Sequence, residues 1–302
     1  MQKENIFIIA VAFTGFFATP VLPDDLSLLA LTQECRECDF SRRDMKGVNF
    51  SSTTLTDVDF RNSSFVEANF SNSTIYSGEL SSSEFKRADF NNSRVFLAIT
   101  PIAGGSKVIQ SDFTGANFDN ANIIFTLEDT NISDATFVKS EIGINAIRVI
   151  GHSANFSQAR RFEIRSGSFL LSAPENAGFN FIESDLRKAD FSDASLEGSR
   201  FIKSNLNNAN FSASDLSGAA FSNSDLQGAD FSKARLGHAK LDNANLVRAN
   251  FSDSYLFSAD FSNSDLRGAN FLNANIRAAN LKGANLCEAI GPDGSMLFIG
   301  CD

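Results

Sequence analysis

Along most of the chain the apolar side chains fall on every fifth residue. From Phe181 the file runs Phe181, Leu186, Phe191, Leu196, Phe201, Leu206, Phe211, Leu216, Phe221, Leu226 and Phe231, then Leu236, Leu241, Leu246, Phe251, Leu256, Phe261, Leu266, Phe271, Ile276, Leu281 and Leu286. Two residues before most of these centres stands a small side chain, as at Ala189, Ala209, Ala229, Ala249 and Ala269. One residue before, Asp or Asn recurs, as at Asp190, Asn210, Asp230 and Asn250. A period of five fits neither the turn of an amphipathic helix nor the alternation of a simple strand. It predicts a solenoid, whose units bury apolar residues only against the units stacked beside them.

An earlier block follows the same rule more loosely, with centres at Phe40, Met45, Phe50, Leu55, Phe60, Phe65, Phe70, Ile75, Leu80, Phe85, Phe90 and Val95. The two blocks differ in register by one residue, so the segment between them carries an insertion or deletion. Thr100 to Gly105 reads as a loop, because Pro and Gly break the rule there. Centres return at Phe113, Phe118 and Ile123, then in a shifted register at Leu127, Ile132, Phe137, Ile142 and Ile147, and Ala154-Asn155-Phe156 is already in the later register. A second break is expected from Gln158 to Asn176, where Arg160, Arg161 and Arg165 lie near Phe162 and Phe169. A solvated loop on the side of the rod is the preferred reading there, ahead of a binding feature.

Units such as Ala209-Asn210-Phe211 and Ala229-Asp230-Phe231 resemble the pentapeptide-repeat family, whose unit is A-(D/N)-(L/F)-x-x. The resemblance covers residues 36–97 and 177–288. It implies an all-β fold, a right-handed quadrilateral parallel β-helix with four pentapeptides to a coil and the centre and small residues facing inward. The alternation of Phe and Leu centres supports four sides, since a twenty-residue coil stacks like on like, Phe191 on Phe211 on Phe231. Many members associate end to end, and an open coil end invites the same here, so a homodimer is left open.

At the amino end, Ile6 to Ala18 is an uncharged apolar run of signal-peptide length, which makes residues 1–18 a signal peptide and the protein secreted or periplasmic. A membrane anchor through residues 6–22 and a buried strand are the alternatives, and stable membrane insertion is not expected because Pro20 and Pro23 disrupt the far end. Residues 19–35 then form a lead-in that caps the first coil, 36–97 the first block, 98–176 irregular repeats with loops, 177–288 the regular block and 289–302 a carboxyl-terminal cap. Leu28 to Ser41 also looks like the segment that precedes the first coil in exported members of the family. The turn signal Gly291-Pro292-Asp293-Gly294 redirects the chain into Met296-Leu297-Phe298-Ile299, which can fold over the last coil.

Cysteines come as two local pairs, Cys35 with Cys38 and Cys287 with Cys301. Pairs at opposite ends of a rod cannot converge on one zinc ion, and behind a signal peptide two disulfides are the better reading. Free or metal-bound thiols and redox chemistry are the alternatives; a thioredoxin-like role lacks its βαβ context. The chain has two histidines, His152 and His238, and His238 falls at an outward repeat position with no partner implied. No phosphate loop, dinucleotide fingerprint or nucleophile elbow occurs, so no catalytic, cofactor-binding or metal residue is assigned and no enzyme activity is expected.

Composition narrows the function further. A net charge of −10 disfavours nucleic-acid binding, and 43% hydrophobic residues exclude a disordered chain. Residues 181–290 hold 13 Asp and Glu against 11 Lys and Arg, so only −2 of the total lies there. The primary expectation is therefore a non-enzymatic exported rod, a structural or protein-binding scaffold whose partner the sequence does not name. The alternative that the family resemblance implies is an acidic DNA mimic that binds a type II topoisomerase.

Overall fold

A computed structural model describes residues 29, 32–97, 108–161 and 179–301. Its local unit follows from the repeat. The centre points inward and the next two residues turn the corner. The small residue then points inward, and the residue after it lies on the face and pairs with the coils above and below. The Ala68 N–H donates to the Phe65 carbonyl at 3.0 Å across such a corner, where Glu67 has φ of 60°. Positive φ at the third turn residue is the signature of a type II turn. Small residues are needed two before the centre because the corner brings their side chains beside the large ones; Ala68, Ala189 and Ala209 are all buried.

Nine strands are long enough to name among the described residues: β1 (Glu34–Arg36), β2 (Thr54–Asp59), β3 (Thr74–Glu79), β4 (Arg94–Phe96), β5 (Val108–Ile109), β6 (Asn122–Glu128), β7 (Glu141–Ile147), β8 (Arg160–Arg161) and β9 (Phe179–Ile182). All pair in parallel, Leu55 beside Cys35 and Ile75 beside Leu55. Elsewhere one residue per side makes the bridge, and one such ladder runs Asn49, Asn69, Asp89, Asn117, Thr136, Asn155, Asp190, Asn210, Asp230, Asn250, Asn270 and Ile290. Twelve rungs, separated by spacings of about 4.8 Å, make a ladder about 53 Å long. The fold is thus an all-β, four-sided parallel β-helix.

Behind that ladder the Phe residues stack face to face. Phe50, Phe70, Phe90, Phe118, Phe137, Phe156, Phe191, Phe211, Phe231, Phe251 and Phe271 form one column with successive ring centroids 4.6 to 5.1 Å apart. Rings from the adjacent side meet this column edge-on, as Phe221 meets Phe231 at 5.7 Å. The column passes through the irregular middle without a break.

The bridge spacings account for the change of register. Asp89 pairs with Asn117, Asn117 with Thr136, Thr136 with Asn155 and Asn155 with Asp190, so the four coils contain 28, 19, 19 and 35 residues where regular coils contain 20. Two long coils carry insertions and two short ones lack a residue, which leaves the later block one position out of step. On the Ile142 side, β6 and β7 pair without a break from Asn122 beside Glu141 to Glu128 beside Ile147. Here the expected centre Ile147 is corrected: it is half-buried on the face, and Ala146 takes the inward place between Leu127 and Phe181. An extra inward file, Phe125 beside Ile144 beside Phe179, fills the space.

The second expected break begins later than the sequence suggests. Gln158 to Arg161 still belongs to the coil, and β8 pairs Arg161 with Ile142. The rest of that break, with Phe162, Arg165 and Phe169, and the Thr100–Gly105 loop lie outside the described residues, as do residues 1–18. The first coil begins at β1 inside the expected lead-in, so Cys35 is itself the first inward centre, above Leu55.

Candidate functional site

The cysteines mark the two ends of the rod. Cys35 and Cys38 are joined as a disulfide with Cα atoms 6.0 Å apart, and both are buried, Cys35 at a centre position and Cys38 at the small position that follows. Cys287 and Cys301 are joined with Cα atoms 4.9 Å apart. Cys287 is half-buried at the corner after Leu286 and Cys301 is exposed. The Met296–Ile299 run is an extended segment lying antiparallel against one edge of the last coil, with a bridge between Ile290 and Met296, rather than a lid over its whole end. Leu286 N–H donates to Ile299 O, Glu288 N–H to Leu297 O and Leu297 N–H to Ala289 O, at 2.9, 2.9 and 2.7 Å. Leu297 packs on the core, whereas Met296, Phe298 and Ile299 are exposed.

Four polar faces lie between those ends. On the ladder outside the Phe column, Asn210 donates to Asp190 and Asn250 to Asp230, each at 3.0 Å. The next side repeats the alternation with Asp185, Asn205, Asp225, Asn245, Asp265 and Asn285, and Asn245 donates to Asp225 at 2.8 Å. Most of these carboxylates also accept the backbone N–H two residues on, as Asp230 does from Ser232 at 2.9 Å. Alternation keeps like charges two coils apart, about 9.6 Å, close to a Debye length in physiological salt.

Charges off the ladders are neutralised in pairs. Arg87 reaches Glu67 in the coil above at 2.6 Å, and Arg148 holds Glu128 and Asp129 at 2.7 Å each. The Arg87 hydrogen bond holds the Glu67 carboxyl below its usual range, and Arg148 does the same for Asp129. A groove lined by Asp112, Asp129, Arg148 and Ile150 has its charges paired in this way, since Lys86 also reaches Asp112 at 3.4 Å. His152 Nε2 lies 2.8 Å from Asp185, which also accepts from Arg187 at 2.9 Å. Burial pushes the Asp185 carboxyl up, but its bonds from Arg187 and His152 outweigh that and lower it. His238 meets Phe257 edge-on at 5.7 Å, with Tyr255 stacked on Phe257 at 6.2 Å. This outward aromatic group was missed by reading the repeat, yet it had a signal: Tyr255 replaces the usual Asp or Asn.

Arg160 pairs with Glu141 at 2.8 Å. The expected basic cluster is therefore partly spent on the coil itself. No group of three or more His, Cys, Asp or Glu that could hold a metal ion occurs among the described residues, and no helix among them is long and apolar enough to cross a membrane.

Comparison with known proteins agrees with this architecture. A profile described as "Pentapeptide repeat region" matches residues 177–251 and 219–290, and one described as "Pentapeptide repeats (8 copies)" matches 34–72 and 55–94. The chain belongs to the pentapeptide-repeat family. Among solved structures it is similar to HetL, a pentapeptide repeat protein involved in heterocyst differentiation regulation in the cyanobacterium Nostoc. That match has 21% identity, covers 85% of this chain and 93% of HetL, and has a TM-score of 0.35. A pentapeptide repeat protein from the Arabidopsis thaliana thylakoid lumen is 31% identical over 35% of this chain and 66% of its own, with a TM-score of 0.20. Full-length QnrB1, a plasmid-mediated fluoroquinolone resistance protein, is 19% identical over 73% of this chain and 92% of its own, with a TM-score of 0.30. No curated protein matches the chain.

Proposed function

We propose that the protein is a non-enzymatic rod exported to an oxidising compartment, where its faces serve as a structural or protein-binding scaffold. The observation that carries this reading is the pair of local disulfides, one closing each end, in a chain with no free cysteine among the described residues. Disulfides persist outside the cytosol. The apolar run ahead of Asp24 supports the same route as a signal peptide. A core filled by stacked Phe and Leu needs no ligand to hold it, and the outward faces are free for contact.

The acidic DNA-mimic alternative is opposed by charge density. B-DNA carries about one negative charge per 1.7 Å, roughly 15 over the length of the regular block, against the −2 of residues 181–290. Fractionation of the native host, with mass spectrometry of the mature amino terminus and differential alkylation, tests the proposal. A chain that begins after about residue 18 with all four cysteines protected is expected. An unprocessed cytosolic chain with free thiols would overturn it.

A further inference from the structure

The two disulfides differ in access, and the accessible one controls an edge of the sheet. Cys35 and Cys38 are 2% and 3% exposed, whereas Cys301 is in solvent on a tail that touches the rod through one strand edge. Thiol–disulfide exchange needs an attacking thiolate to reach a sulfur, so access separates the two bonds kinetically. Without the Cys287–Cys301 link, the three backbone hydrogen bonds to Leu286–Ala289, the turn bonds at Gly291 and Pro292, and Leu297 hold the tail. Three of its apolar side chains already face water, so packing adds little. Closing a loop of about 15 residues favours the docked tail by roughly a hundredfold.

Beneath the tail lies one of the unfinished edges of the last coil. In the coil before it, Leu256, Ser258, Phe261 and Asn263 donate to Asn275, Arg277, Asn280 and Lys282 at 2.8 to 3.1 Å. Their equivalents Ile276, Ala278, Leu281 and Gly283 meet no backbone acceptor among the described residues, and the centres Ile276 and Leu281 are only half-buried. Two adjacent sides are therefore open, and the tail shields the third at Leu286–Ile290. Releasing it leaves three edges arranged around a square. A single extended peptide matches one such edge. The end of another coil, with the same side length and strand spacing, matches all of them.

We propose that the Cys287–Cys301 clasp is a redox gate on self-association: closed, it keeps the carboxyl end from pairing; opened, it exposes Leu286–Ile290 and a second copy of the chain docks end to end. The opening agent is a dithiol. Its first thiolate attacks one sulfur to form a mixed disulfide, and its second displaces the protein thiol. The protein gains two electrons and two protons, becoming two thiols, and the dithiol leaves as a disulfide. The proposal rests on the oxidising compartment above only for how the clasp closes, and its test uses purified protein, so either can fail alone.

Sedimentation velocity and amide exchange test it on the full chain, oxidised and after mild dithiol treatment, with alkylation to verify that Cys35–Cys38 survives. A monomer is expected when oxidised. At a concentration too low for association, reduction should speed exchange at Leu286, Glu288 and Leu297 by roughly a hundredfold; at higher concentration it should give a dimer in which Leu286 and Glu288 are protected again while Leu297 stays fast. The double variant Cys287→Ser with Cys301→Ser should dimerise without reductant, and adding Leu281→Lys should return it to monomer. Unchanged exchange on reduction would refute the gate. Faster exchange with an unchanged mass, or a dimer that survives Leu281→Lys, would refute docking through this end. Should the double variant fail to fold, reduced wild-type chain still decides.

Discussion

At a single corner the backbone makes one unusual demand, positive φ at the third turn residue. Gly218 answers it at φ 68°, with nothing within 4 Å of where a Cβ would sit, while Ala213 meets it at φ 57° with its side chain exposed. An L-residue in this conformation costs about 1–2 kcal/mol, slightly offset by the unfolded-state entropy that Gly brings. Gly218→Ala should therefore destabilise by about 1 kcal/mol and Ala213→Gly should stabilise by up to about the same amount. Denaturant melts of both variants check this, and equal shifts of one sign would show that the corners are not strained. Asn, Asp and Gly, which tolerate this conformation, stand at many of these corners. Lys and Arg at others, such as Lys188 and Arg248, have their conformation imposed by the pairing on either side.

At the scale of one column, stacking decides. Phe231 lies 5.0 Å from both Phe211 and Phe251, fully buried. Phe231→Asp removes both ring contacts and buries an unpaired charge, and should cost more than about 4 kcal/mol. Asp253→Ala alters an outward carboxylate that accepts only from Asn273 at 3.1 Å, and should change stability by less than about 0.5 kcal/mol. Similar melting temperatures for the two would reverse the inward register. The ladders allow a subtler test. Asn210→Asp would place three carboxylates on consecutive rungs, Asp190, position 210 and Asp230, and lose the amide donor to Asp190. A loss of about 1 kcal/mol is expected at low salt, shrinking as salt screens it; a loss indifferent to salt would locate the effect in the lost hydrogen bond alone.

Across the whole rod, surface pairing sets the response to acid. The carboxyls of Asp59, Asp129 and Asp265 are lowered chiefly by hydrogen bonds from Arg61, Arg148 and Arg267, and that of Asp260 chiefly by the Ser262 backbone N–H. A carboxyl with a lowered folded pKa contributes stability above its unfolded value of 3.8 and loses it as pH falls through the lower folded value. Thermal stability should be flat between pH 5 and 8 as far as these groups go, and decline below about pH 4. The decline should be shallow, since each pair is at the surface. Melting curves across this range check it; a loss centred near pH 6 would overturn it.

The sequence by itself determined the unit, the four-sided coil and the Phe column of the regular block, because each depends on residues at most a coil apart that repeat without interruption. The cysteine pairing was also within reach, since both pairs are local. Only the tertiary structure decided how the middle joins the blocks. Whether Ala146 or Ile147 points inward, and how Phe179 re-enters beside Ile144, depends on hydrogen-bonded register against neighbours 19 to 35 residues away. A local apolar pattern does not encode which of two adjacent residues that register turns to the core. The same physics settled the carboxyl end: an apolar run promised a cover, but an extended strand pairs along one edge, and so Ile276 and Leu281 remain half open.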